Sequence, residues 1–185
     1  MMRKSICVGM VALACLATCG ANAETIGASD STPRNGMTPF MLGIFNPVQG
    51  PGDTFDVYGL RIGLGYVESR NMYGLDLGLV GITTGDMLGL QAGLVHVVEG
   101  YGRGLQIGVA NVSTSRFTGF QVGAFNYAEE FKGVQIGLFN SATFMRGFQF
   151  GVINYAETAL GIQIGLINVI ADKDWACLPL INMSF

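Results

Sequence analysis

From residue 59 onward, apolar residues alternate with glycine or an amide in short stretches that recur along the chain. Written from its first glycine, the unit is Gly-Φ-Gln-Φ-Gly-Φ-x-Asn, where Φ is apolar. Copies begin at Gly59, Gly74, Gly89, Gly104, Gly119, Gly133, Gly147 and Gly161. The spacing is 15 residues four times and then 14 residues three times, the mark of a repeat architecture. The two-residue alternation, as in Gly119-Phe120-Gln121-Val122-Gly123-Ala124, predicts one strand per copy. Linking segments such as Ser113-Thr114-Ser115 and Ala128-Glu129-Glu130 carry the hydroxyl and charged residues expected of turns. The early copies differ: Arg61 and Asp76 stand where Gln91, Gln106, Gln121, Gln135, Gln149 and Gln163 stand later. The motif asparagine starts with the fourth copy, as Asn111, Asn126, Asn140, Asn154 and Asn168. His96, the single histidine, holds that position in the third copy.

Two all-β architectures fit this pattern. One is an antiparallel up-and-down meander, closed into a barrel. A decayed copy from Pro39 to Pro47, the eight repeats and the segment Ala176 to Phe185 give ten strands, an even number as in outer-membrane barrels. Gly-Φ-Gln-Φ-Gly also reads the same in both directions, so antiparallel neighbours would set Gln opposite Gln. The alternative is a parallel β-solenoid with one 14–15-residue coil per repeat, stacking the asparagines and the apolar residues in ladders. So short a coil leaves little interior, and the palindrome favours the meander. Against a membrane barrel, an apolar face such as Leu105, Ile107 and Val109 spans about 13 Å at 3.3 Å per residue. A lipid-facing band is about 25 Å tall. Gly-x-x-x-Gly recurs in every copy, but polar residues between the glycines exclude an apolar helix pair.

In the barrel reading the eight aligned residues Arg61, Asp76, Gln91, Gln106, Gln121, Gln135, Gln149 and Gln163 form one row. Turned inward, they are a structural polar ladder in which each amide donates and accepts, with an Arg61–Asp76 charge pair at one end. Turned outward, they simply solvate a surface.

The N-terminus reads as an address. Met1-Met2-Arg3-Lys4 is basic, Ile6 to Ala17 is apolar, and Ala21-Asn22-Ala23 is a small-x-small cleavage site. This predicts a signal peptide over residues 1–23 and a mature chain starting at Glu24. Leu16-Ala17-Thr18-Cys19 is a rival lipoprotein site. Residues 24–37 are expected to be a flexible tail and residues 38–185 a single β-repeat domain. Of the four cysteines only Cys177 survives cleavage, which excludes an intrachain disulfide. The mature chain keeps 8 basic and 13 acidic residues, a balance unlike that of a nucleic-acid-binding protein.

Candidate chemistry is sparse. With one histidine and one mature cysteine, neither a His/Cys zinc site nor a Cys-His pair is available. Glu129-Glu130 and Asp172/Asp174 lie in turns without a calcium-loop pattern, and no glycine cluster opens a helix to cradle phosphate. No catalytic, cofactor-binding or metal-binding residue is assigned, and no cofactor is expected. Tyr58, Tyr66, Tyr73, Tyr101, Tyr127 and Tyr155 gather near strand ends, as interfacial aromatic girdles do.

The copies Gly133-Val134-Gln135-Ile136-Gly137-Leu138-Phe139-Asn140 and Gly161-Ile162-Gln163-Ile164-Gly165-Leu166-Ile167-Asn168 resemble the surface repeat-containing proteins of Gram-negative bacteria. So does Phe45-Asn46-Pro47-Val48-Gln49 followed by Val57-Tyr58-Gly59-Leu60-Arg61. The resemblance implies an exported, envelope-associated protein at the outer membrane or cell surface, with a structural or adhesive role and no catalytic residues. The alternative is a soluble periplasmic or secreted β-repeat module that binds a ligand along one face.

Overall fold

Like residues of successive repeats lie side by side, running in the same direction. The computed structural model describes residues 36–45, 48–174 and 176–185. The expected signal peptide and all of the expected tail except its last two residues fall outside the described residues. Among the described residues 84% are in strands and none is in a helix. The strands are β1 (Met37–Phe45), β2 (Val48–Gly50), β3 (Asp56–Ser69), β4 (Met72–Thr83), β5 (Met87–Val98), β6 (Gly102–Ile107), β7 (Ala110–Val122), β8 (Phe125–Ile170) and β9 (Cys177–Ser184).

The fold is the parallel β-solenoid, and the ten-stranded antiparallel barrel is corrected. Between β3 and β4, Gly59 pairs with Gly74 and Arg61 with Asp76. Between β7 and β8, Gly119 pairs with Gly133 and Gln121 with Gln135, in parallel. A meander would have placed Gly119 opposite Gly137. Parallel in-register stacking also puts Gln on Gln, so the palindrome did not discriminate. Each coil has two arms. The first carries Gly-Φ-Gln-Φ-Gly, the second carries the asparagine, and the chain turns a corner after each. The change from 15 to 14 residues is absorbed at one corner: Ser113 pairs with Ala128 and Arg116 with Glu130, so two residues face one. The arms themselves stay in register.

Four side chains per coil point inward. In the coil that starts at Gly119 they are Gln121, Asn126, Ala128 and Phe131, all at most 2% exposed. Half of this core is amide and half is apolar, which is how a coil this short fills its interior. The apolar half is complementary from coil to coil. The Phe117 and Phe131 rings lie parallel, centroids 6.3 Å apart, and Gly102 leaves the space that the Phe117 ring enters.

Both ends are closed by antiparallel strands. At the N-terminal end β2 folds back on β1, and Gln49 exchanges two hydrogen bonds with the Glu68 backbone, at 2.8 and 3.1 Å. At the C-terminal end β9 runs antiparallel to β8, with Asn182 opposite Gln163. The free edge of β9 is blunted, as exposed edges commonly are. Pro179 offers no donor, Leu180 sits at φ 67°, and the Lys173 ammonium donates to the Met183 carbonyl.

The strand direction is testable with outward-facing cysteines in a Cys177→Ser background. Phe120 pairs with Val134 in the solenoid but would face Ile136 in a meander. Phe120→Cys with Val134→Cys is expected to crosslink readily, and Phe120→Cys with Ile136→Cys poorly. The reverse order on a non-reducing gel would contradict the parallel fold.

Candidate functional site

The structure brings all eight residues of the expected ladder together inside the solenoid, every one at most 2% exposed. Arm one places them, because alternation turns the position between the two Φ residues inward while the Φ side chains face out. The ladder has a direction. Gln163 donates to Gln149 at 2.7 Å, Gln149 to Gln135 at 2.7 Å, and Gln135 to Gln121 at 2.8 Å. Gln121 then donates to Gln106 and Gln106 to Gln91, both at 2.8 Å. Gln91 Nε2 ends the series on Asp76 Oδ2 at 3.1 Å. The amide chain therefore presents its N–H end to a carboxylate, an arrangement in which each bond polarises the next.

Asp76 is shared with Arg61, whose Nε and Nη2 approach its two oxygens at 2.8 and 2.5 Å. The remaining guanidinium donors are also used: Arg61 Nη1 bonds Ser69 Oγ at 2.6 Å and the Ile82 carbonyl at 2.9 Å. Fully buried charges persist only when paired and hydrogen-bonded in this way.

A second ladder, the asparagine stack expected of the solenoid alternative though not assigned as site residues, runs along arm two in the opposite direction. Asn111 donates to Asn126, Asn126 to Asn140 and Asn140 to Asn154, each at 2.8 Å, and Asn154 to Asn168 at 2.7 Å. Each of these amides also reaches the backbone of the following coil, as Asn126 Nδ2 does to the Ile136 carbonyl at 3.0 Å. The asparagine thus staples one corner. The second glycine of the motif admits both the stacked backbone and this amide: a Cβ on Gly137 would clash with the Gly123 carbonyl oxygen one coil earlier and would lie 2.6 Å from Asn126 Nδ2. The signal was present in the sequence as the invariant final Asn of the last five copies.

His96 takes the place of asparagine at the N-terminal end of this ladder. Its Nε2 bonds the Ile107 carbonyl at 3.3 Å, the same corner contact, while its Nδ1 has no partner. Asn111 Oδ1, next in line, is unpartnered as well. Burial pushes the His96 pKa below its ordinary 6.5, against the opposing pull of Asp76. A histidine whose folded pKa is depressed binds its proton more readily when unfolded. Its neutral form therefore contributes fully above pH 6.5, and that contribution is lost as pH falls below this value toward the folded pKa. His96→Asn is expected to extend the ladder to Asn111 Oδ1 and remove the orphan Nδ1. We expect a gain of about 1–2 kcal/mol, and a melting temperature less sensitive to acid between pH 7.5 and 5.5. A less stable variant would contradict the assignment of these orphan atoms.

The outer surface is as regular as the interior. Across the eight repeats, the two Φ positions of arm one, the Φ at the following corner and the next outward position of arm two carry no charged residue. Many are well exposed, among them Phe120 at 53%, Ile136 at 45%, Leu138 at 60% and Leu166 at 63%. Charges not buried in the ladder gather around the opposite corner, as Glu99, Arg116, Glu129, Glu130 and Glu157. Arg103, Lys132 and Arg146 sit just before the first glycines. Among the described residues no three His, Cys, Asp or Glu side chains converge as metal ligands would. A shallow apolar depression of about 530 Å³ lies at the N-terminal cap, lined in part by Leu42, Ile44, Val48, Ile62 and Leu64.

Comparison with protein-family models, with curated proteins and with solved structures finds no match for this chain.

Proposed function

We propose that this chain is an exported, non-enzymatic protein of the cell envelope, a rigid β-solenoid with a structural or adhesive role at the outer membrane or cell surface. One observation carries the reading: eight successive repeats carry a single outward pattern of apolar rows on one side and charge on the other. Such repetition multiplies one weak contact along an axis, as solenoids do on extended partners. The basic and apolar N-terminal segment with its Ala21-Asn22-Ala23 site supports export, and the resemblance to surface repeat-containing proteins supports the envelope. The same extended face also favours a second reading, a periplasmic or secreted module that binds along one side.

Mass spectrometry of protein from fractionated cells tests the proposal. The expected result is a chain beginning at Glu24 and sedimenting with outer membranes. A chain retaining residues 1–23 in the cytoplasmic fraction would overturn it, and recovery in the periplasmic wash would favour the second reading.

A further inference from the structure

Apolar rows usually mark one face of a sheet. Here they wrap around a corner. The row of Ile136 lies on arm one, the row of Leu138 on the corner itself, and the row of Phe125 on arm two. The result is a convex apolar ridge running the length of the solenoid. A second rigid copy could cover one arm, but not both sides of a ridge. A fluid covers both.

The dimensions fit one leaflet of a bilayer. From the ridge, the apolar rows climb arm one for about four residues, or about 13 Å. That is close to half of the ~30 Å hydrocarbon core and too little to cross it. Where the apolar rows end, the side chains change in the manner of a membrane interface. Just above them on arm one stand the exposed Arg103, Lys132 and Arg146, in the same row as the stacked Tyr58 and Tyr73. On arm two, Tyr127 and Tyr155 mark the corresponding boundary, and the acidic corner lies beyond. Aromatic and basic residues anchor at this level, and cations there attract anionic headgroups. Backbone hydrogen bonds between successive parallel coils, continued at the ridge by the Val109 N–H to the Leu94 carbonyl and the Phe139 N–H to the Ala124 carbonyl, already pair the backbone of the interior coils, as immersion in lipid requires. At the exposed edge of β9, Pro179 removes a donor at ridge level.

We infer that the apolar ridge inserts into one leaflet of an anionic lipid membrane, with the solenoid axis parallel to the surface and the acidic corner in water. This deepens the proposed envelope role by naming its partner, but the docking can be measured without reference to export.

Flotation of the purified mature protein with vesicles tests the inference. The protein is expected to float with phosphatidylethanolamine–phosphatidylglycerol vesicles. Ile136→Glu with Leu138→Glu, at exposed positions that should leave the fold and its circular dichroism intact, is expected to abolish flotation. Arg103→Gln with Lys132→Gln and Arg146→Gln should weaken partitioning on the order of a hundredfold at low salt. Glu129→Gln, at the acidic corner, should leave it unchanged or stronger. Wild-type protein that stays at the bottom of the gradient, as a monomer or as a dimer broken by the ridge variant, would overturn the inference. So would flotation that both sets of substitutions leave unaltered. Cell fractionation reports separately on export, so a cytoplasmic protein that still floats would refute the envelope role and spare the ridge.

Discussion

Asp76→Ala is expected to destabilise the solenoid by about 3–5 kcal/mol, because it strands a buried guanidinium. Arg61 is fully buried, and two of its hydrogen bonds end on the Asp76 carboxylate. The Ser69 hydroxyl and the Ile82 carbonyl remain, but neither neutralises the charge. Gln91 Nε2 would also lose the anion on which the glutamine ladder ends. For a domain of this size the loss corresponds to roughly 10 °C or more in melting temperature, readable by circular dichroism. The informative control is a double substitution. Arg61→Gln with Asp76→Gln replaces the pair by two more rungs of the ladder that Gln91 to Gln163 already form. Replacing a buried ion pair by well-packed apolar residues is often neutral or stabilising, and two amides that continue a hydrogen-bonded row avoid the cost of stranded polar groups in the same way. The double variant is therefore expected to melt within a few degrees of the wild type. If it is as damaged as Asp76→Ala, the pair does more than terminate the ladder.

The paired charge bears on how the solenoid starts. A Gln at position 76 could donate onward, but the coil before it offers Arg61, a donor with nothing to accept. A carboxylate resolves this, since it accepts from Gln91 on one side and from Arg61 on the other. At the far end, Gln163 Oε1 and Asn182 Oδ1 have no partner. The glutamine ladder is thus anchored by an ion pair at its N-terminal end and open at its C-terminal end. The asparagine ladder runs the other way, so the dipoles of the two rows oppose each other within each coil.

Much of this was legible in the residues. The two-residue alternation placed the first arm of each coil, the fixed spacing placed the repeats, and an inward amide ladder led by Arg61 and Asp76 followed from one choice of face. The second arm was missed, because Ser113 to Ser115 and Ala128 to Glu130, rich in hydroxyl and charge, read as turns and are strand. Strand direction was not legible, for a physical reason. Gln121 meets Gln135 in either a parallel or an antiparallel pair, so chemistry at that position is silent on direction. The apparent symmetry of Gly-Φ-Gln-Φ-Gly misled further, because its two glycines are not equivalent. Both glycines face a backbone carbonyl of the preceding coil, but only Gly133 also has a positive φ, +138°, while Gly137 additionally makes room for asparagine amides. The objection that the coil is too short to hold a core assumed apolar contents. Gln121 and Asn126 fill half of it and donate along the axis to the preceding and the following coil respectively, which no isolated coil could offer.

The first glycine of each copy carries the largest single-residue effect that this asymmetry predicts. All eight lie between φ +124° and +154°, a region that side chains other than glycine rarely adopt. A Cβ at Gly133 would also fall well inside van der Waals contact with the carbonyl oxygen of Gly119, one coil earlier. Relieving that clash means parting two hydrogen-bonded coils, since the obstructing atom is backbone and cannot rotate away. The dihedral alone costs about 1–3 kcal/mol, and the clash adds to it. Gly133→Ala is therefore expected to cost more than about 3 kcal/mol despite adding a single methyl group. It sits mid-stack, so the coils on either side would lose their register as well. Gly52, outside the coils with nothing within 4 Å of an added Cβ, is the matched control. Gly52→Ala should stay within about 0.5 kcal/mol of the wild type. The two variants are compared by urea unfolding of the mature chain. Equal midpoints would mean that successive coils do not stack glycine on glycine, and the parallel register would have to be abandoned.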